Sequence, residues 1–304
     1  MIQVRAPGMF TTVQDLGRPS YGPMGVSASG AADPIALRIG NLLVGNPAGA
    51  AALEMTLLGG TFAFDENCVV ALAGSEFEST LPLWTPHAIQ AGETLKIGPT
   101  RSGARCYLCV RGGISVPLFL GSSSTHILSG LGGLEGRALR KGDVLQIGRA
   151  EGPYSPLRLK PEVLSKFAPR KLIRVTAGPQ WDWFQNTGIF FTSAYRVTEE
   201  SNRMGLRLEG PPLQSIGRGQ MITEGVALGA IQIPAGGQPI ILFVEQQTTG
   251  GYPKIANVIS ADLPSVSQLR PRDEIRFQLV TLEEARQMIC DQEAALRHII
   301  DANE

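Results

Sequence analysis

Residues 223–256 hold the densest set of side chains suited to small-molecule chemistry. Two apolar, strand-like runs, Val226–Ile233 and Ile240–Val244, flank a turn from Pro234 to Pro239. The second run ends abruptly in Glu245, Gln246, Gln247, Thr248, Thr249, Gly250, Gly251 and Tyr252. A strand that leaves a hydrophobic core into amides, hydroxyls and paired glycines can hold a small polar molecule. Glycine admits close backbone approach. Gln offers a donor and an acceptor together, which suits an amide-like ligand. The same residue types also decorate ordinary hairpin ends, so composition leaves both readings open.

Four further sets carry polar chemistry. Thr11–Arg18 brings the Asp15 carboxylate and the Arg18 guanidinium close together beside Gly17. Ser27-Ala-Ser-Gly-Ala-Ala-Asp33 leads into a helix, whose N-terminus with nearby hydroxyls suits an anion; Asp33 fits a plain helix cap equally well. Glu54 interrupts the apolar run Ala52–Thr56, so it is either paired with an arginine or functional. In Ser201–Gly210, Arg203 and Arg207 are four apart, which on a strand puts them on one face. Two such arginines suit a carboxylate or phosphate through bidentate hydrogen bonds, or serve as surface charges.

Other chemistries lack their signatures. The formal net charge is zero, so the chain as a whole lacks the basic footprint of a nucleic-acid binder, which leaves only a local patch open. No apolar run reaches the roughly 18 residues of a membrane span. The N-terminus lacks the charged and apolar regions of a signal peptide, and a cytoplasmic location is expected. Cys106-Tyr-Leu-Cys109 has the C-x-x-C form but lies in a strand-like run, where residues three apart face opposite ways. With Cys68 and Cys290 far off, and His87, His126 and His298 scattered, no metal set is expected. There is no phosphate-binding G-x-x-x-x-G-K-[ST] loop and no G-x-S-x-G elbow. The run Gly130–Gly136 reads as a flexible turn or as an anion cradle.

The elements that must position these residues are mainly short strands. Across 304 residues, 36 glycines and 21 prolines favour strands and turns over long helices. Alternation marks strands at 61–64, 69–73, 94–97, 106–110 and 144–147. One acidic-turn-into-strand pattern recurs at Gly92–Ile97, Gly142–Ile147 and Arg272–Phe277, and Ile2–Gly8 is echoed by Ile173–Pro179. These repeats point to two related β-domains in tandem. Asp33, Pro34 and Gly45 frame a helix over 34–44. Thr281 and Glu284 form a capping box for a C-terminal amphipathic helix that packs on a barrel. The expected division is 1–155, a linker at 156–169, 170–280, and the helix at 281–304.

The ordered set TTVQDLGR, SGAADPIALRIGNLLVGN, LEMTLLGG, RGGI, GGLEGR, SNRMGLRLEG, TEGV, GAIQIP and QTTGGYP resembles the biotin-dependent carboxyltransferase-like family, also called the allophanate hydrolase subunit 2 or KipA family. The resemblance spans roughly residues 2–278, and the group includes one component of bacterial ATP-dependent 5-oxoprolinase, its C subunit. It implies an all-β fold of two cyclophilin-like barrels. It also implies two partner chains, one KipI-like and one of the LamB/YcsF type. The implied reaction opens the lactam of 5-oxo-L-proline to L-glutamate with ATP hydrolysis, ATP being held at a site that a partner can share. The expected substrate contacts are Arg203, Arg207, Gln247, Thr248, Thr249, Gly250, Gly251 and Tyr252, with Asp15, Arg18 and Glu54 behind them; no general base can be chosen. The alternatives are a urea-carboxylase-like carboxyltransferase, with biotin carried on another protein because this chain has no A-M-K-M-like attachment lysine, and an antagonist of a histidine-kinase inhibitor. Relatives often carry Asp-Arg where this chain has Glu245-Gln246, which weakens a phosphate role there.

Overall fold

The computed structural model describes residues 1–150, 152–157, 159–216 and 221–301, without the side chains of Ile300 and Asp301. Glu151 and Arg158, which border or lie in the expected linker, and 302–304 of the expected C-terminal helix fall outside the described residues. The chain forms two compact units: Met1–Arg18, Ser29–Phe167 and Ala295–Glu304 in the first, Pro19–Ala28 and Ala168–Ala294 in the second. The division expected from sequence differs, with 19–28 in the first domain, 156–167 in a linker and all of 281–304 in a separate helix.

The first unit faces a six-stranded sheet against a five-stranded one. In the six-stranded sheet the order is Ile114–Ser115, Val144–Ile147, Ile2–Ala6, Thr61–Phe64, Thr94–Thr100 and Phe77–Ser79. The other runs Phe10–Gln14, Ala52–Thr56, Arg105–Val110, Cys68–Gly74 and Pro86–Ile89. Inward side chains from both sheets, such as Val4, Phe62, Ile97, Leu53, Val70 and Leu108, fill one buried core. The N-terminal β-barrel domain expected here takes the form of two facing sheets.

Helix Pro34–Leu43 covers the outer face of the five-stranded sheet. The Asp33 carboxylate accepts from Ala36 N at 2.9 Å, and Pro34 occupies the first turn. Ile35, Leu37, Ile39 and Leu43 bury against Ala52, Ala71, Tyr107 and Cys109. A Cβ on Gly40 would stand 2.6 Å from Cys109 Sγ and 2.8 Å from Ala73 Cβ, so this helix lies closer to the sheet than a side chain there allows. Cys106 faces the inter-sheet core and Cys109 the helix, on opposite faces as their spacing requires. The expected linker is partly structured, with helix Pro161–Ser165, and Leu159, Val163 and Phe167 pack on the helix-side core.

The second unit is a closed barrel of seven strands: Leu172–Ala177, Lys254–Val258, Ala230–Gln232, Ile240–Leu242, Gly205–Glu209, Tyr195–Val197 and Glu274–Leu279. Ala230–Gln232 and Ile240–Leu242 form the expected hairpin, with Gly237 at φ +76° and its N–H on Pro234 O at 2.9 Å. Ala285, Met288 and Ile289 of helix Leu282–Asp301 pack on Ile259, Ala261 and Val280. The capping box forms: Thr281 N donates to Glu284 Oε2 at 2.7 Å and Glu284 N to Thr281 Oγ1 at 3.2 Å.

The threefold sequence echo is one turn built three times, twice in the first unit and once in the second. Glu93, Asp143 and Asp273 each accept, through a side-chain oxygen, the N–H of the residue three earlier, at 3.0, 2.7 and 2.8 Å. The residue before each acid is left-handed: Gly92 at φ +88°, Gly142 at +94° and Arg272 at +73°. Each acid's carbonyl then accepts from a neighbouring strand, at Phe64, Val4 and Val197.

Candidate functional site

The strongest polar constellation sits at one end of the seven-stranded barrel. Ile231 pairs with Ala256, but Gln232 pairs with Lys254, so the register slips and one residue bulges. Bulges at barrel rims re-aim side chains, and here the slip sets buried Gln232 opposite buried Lys254. Lys254 Nζ donates to Glu224 Oε1. Gln180 Nε2 donates to that same oxygen at 3.1 Å, and Gln180 Oε1 accepts Lys254 N at 3.0 Å. The hydrogen bond from Lys254 is the main cause that holds the Glu224 carboxyl below the usual carboxylate range. A short ribbon joins the cluster: Glu224–Gly225 pairs with Thr249–Gly250, placing Glu224 across from Gly250.

Gly250 is where the amides converge. A Cβ there would lie 2.5 Å from Gln232 Nε2, 2.9 Å from Gln247 Nε2 and 3.3 Å from Val226 Cγ1. Gln232 is 2% exposed, and its Nε2 has no hydrogen-bond partner within the protein. Gln246 donates from Nε2 to Val226 O at 3.2 Å, while its Oε1 is buried without a partner. Unsatisfied buried amides are costly and uncommon. Two glutamine amides at one glycine, with a third held on the neighbouring Val226 and a Lys–Glu pair alongside, can hold a small molecule bearing an amide.

The residues expected from sequence divide between the two units. In the second, Thr248 O accepts Val226 N at 3.1 Å, Thr249 and Gly250 form the ribbon, and half-exposed Tyr252 lies beyond Gly251. Ser27 of the Ser/Gly set donates to Gln246 O. Arg203 and Arg207 do not form a matched pair. Asn202 Oδ1 accepts Met204 N at 2.8 Å in a turn, so the strand begins only at Gly205. Arg203 is buried and its Nε donates to Glu245 Oε1 at 2.5 Å, whereas Arg207 is half-exposed, 3.8 Å from Glu200.

In the first unit, Asp15 organises the loop 122–124. Its carboxylate accepts from Gly17 N at 2.7 Å, Ser122 Oγ at 2.7 Å, Ser124 Oγ at 2.5 Å and Ser123 N at 2.6 Å. Buried Arg18 donates to Phe119 O at 3.3 Å and to Ser124 O. Both residues are absorbed in holding this loop. Glu54 accepts from Tyr107 Oη at 2.6 Å and Ala32 N at 2.8 Å, with Arg105 Nε 3.6 Å away. Burial, then the Glu54 charge, pushes the Tyr107 hydroxyl well up, so it stays a donor. The glycine run 130–136 packs closely: a Cβ on Gly132 would stand 2.2 Å from Ser124 O. Among the described residues no group of three or more His, Cys, Asp or Glu is placed to hold a metal ion.

Gln180, Glu224, Gln232 and Lys254 are not legible as site residues in the sequence. Gln232 carries one signal, a lone amide inside an apolar strand run. Gln180 and Lys254 meet through the pairing of Leu172–Ala177 with Lys254–Val258, strands far apart in sequence.

Residues 24–279 match the family described as carboxyltransferase domain, subdomain A and B. The chain belongs to that carboxyltransferase-domain family. Within it, the chain is 39% identical over 300 residues to the C subunit of 5-oxoprolinase from Escherichia coli (strain K12), covering 96% of each. It is 36% identical to the corresponding 5-oxoprolinase chain of Haemophilus influenzae, covering 99% of each. Among solved structures, urea amidolyase of K. lactis superposes with a TM-score of 0.91 at 32% identity, over 98% of this chain and 20% of that one. Carboxyltransferase-domain membership and the mainly β architecture thus agree. Among the described residues no helix is long and apolar enough to cross a membrane.

Proposed function

We propose that this chain is the carboxyltransferase-like component of an ATP-dependent 5-oxoprolinase in the cytoplasm, assembled with a KipI-like chain and a LamB/YcsF-type chain. The observation that carries the reading is the match to the C subunits of two 5-oxoprolinases over almost the whole length of both chains. The amide-rich barrel end supports it chemically. A lactam is a stable amide, and phosphorylation of its oxygen by ATP turns a poor electrophile into a good one. Two waters are then consumed: the C–N bond breaks, phosphate leaves, and glutamate and ADP remain. Such a step needs the amide, the substrate carboxylate and a phosphoryl group positioned together in a charge-compensating site. In this chain Gln232, Gln246 and Gln247 offer amide contacts, and the Lys254–Glu224 pair borders them. The test is reconstitution with both partner chains and an assay of glutamate release from 5-oxoproline.

The likeness to urea amidolyase favours a second reading, a carboxyltransferase that receives carboxylate from biotin on another protein. Carboxylation of urea by this chain with a biotinylated partner, and no glutamate release, would replace the first reading with the second. Fold alone does not choose between them.

A further inference from the structure

We propose that Gln232, Gln247 and Gln246 read the cis edge of a cyclic amide: the Nε2 groups of Gln232 and Gln247 donate to its carbonyl oxygen, and Gln246 Oε1 accepts its N–H. This assignment rests on the proposed lactam substrate and names the side chains that select it.

A ring forces the amide cis, so carbonyl and N–H lie on one edge. Recognition of that edge requires donors and an acceptor presented side by side. Gln232 Nε2 and Gln247 Nε2 both approach the side of Gly250 that carries no side chain, within 2.5 and 2.9 Å of its would-be Cβ. Val226 links the acceptor's side chain to that glycine. Its Cγ1 is 3.3 Å from that Cβ position, and its carbonyl accepts the Nε2 of Gln246, whose Oε1 is buried without a partner. Gln232 is almost fully buried, with its donor equally unmatched, so a carbonyl oxygen in reach would satisfy it. Two donors on one oxygen also stabilise negative charge growing there. Gln247 is exposed, so the pair joins a buried inner donor to an outer one at the surface.

The experiment uses the full chain in complex with its two partner chains. Gly250→Ala is the first variant. Gly250 is not among the residues at positive φ, and the nearest obstacles to a Cβ are the ends of two flexible side chains, so the fold accepts alanine while both donors are displaced. The KM for 5-oxoproline is expected to rise about tenfold, the loss of one hydrogen bond. Gln232→Met, which keeps the volume and removes the donor, is expected to do the same. Thermal melts identify any variant that fails to fold. Binding is read separately by saturation-transfer NMR: 2-pyrrolidinone is expected to bind and be displaced by 5-oxoproline, and N-methyl-2-pyrrolidinone, which lacks the N–H, to bind at least tenfold more weakly. Unchanged KM in both variants of an active complex, or equal binding of the two lactams, overturns the assignment and leaves the oxoprolinase reading standing. Discrimination between the lactams without any glutamate release keeps the assignment and removes the oxoprolinase reading.

Discussion

Arg203 Nε stands 2.5 Å from Glu245 Oε1, with both side chains buried. The backbone repeats the link, since Glu245 N donates to Arg203 O at 2.8 Å. This pair fastens the strand exit that leads to the candidate site, so its first role is structural. Arg203→Ala removes this partner from the buried Glu245 carboxylate and is expected to cost about 3–5 kcal/mol. The double variant Arg203→Met with Glu245→Leu is expected to cost less than Arg203→Ala alone. Denaturant unfolding measures both; a stable Arg203→Ala chain with lost turnover would instead return Arg203 to the site.

Tyr107 donates to Glu54 and accepts Asp33 N at 2.8 Å. Tyr107→Phe strips a partner from both, and a loss of about 1–3 kcal/mol is expected. The KM for substrate should not change. A KM shift without a stability loss would show that Glu54 touches ligand.

Stability on the acid side should depend on Asp143. The hydrogen bond from Arg137 holds its carboxyl below the usual carboxylate range. A depressed folded-state pKa stabilises the protein above the unfolded value of about 3.9 and is lost as pH falls through the folded value. The midpoint difference between the native chain and Asp143→Asn is therefore expected to be constant at neutral pH and to shrink only below about pH 4. A difference that persists unchanged at lower pH would contradict this.

The four cysteines should react very unequally. Burial pushes the Cys106 thiol up to about 12 and raises Cys109 further. Burial also pushes half-buried Cys68 up to about 11, while Cys290 is exposed on the C-terminal helix. Because the thiolate is the nucleophile, a thiol reagent at pH 8 is expected to label Cys290 first, and Cys106 and Cys109 only after unfolding. Rapid labelling in a Cys290→Ser variant would show that the strand Arg105–Val110 opens readily.

What sequence revealed was local. The Asp33 and Thr281 caps, the 234–237 turn and the three acidic turns each depend on residues within a few positions, and each formed. Arg203 and Glu245 are 42 residues apart, and no local pattern announces their contact. The slip that sets Gln232 opposite Lys254 depends on how two distant strands align, which periodicity does not encode. Residues 19–28 lie inside the first domain expected over 1–155, yet they are part of the second unit. The polar exit at 245–252 was visible, but its inner half was not. Gln180, Glu224, Gln232 and Lys254 reach it only once strands distant in sequence pair.

If this chain completes an ATP-dependent lactamase, its two partner chains need it for turnover. The decisive measurement is the glutamate and ADP formed from 5-oxoproline and ATP by those partners, with and without this chain. Equimolar glutamate and ADP are expected only when all three chains are present. A folded, fully assembled complex that hydrolyses no lactam, or partners that release glutamate equally well without this chain, would contradict the proposed role.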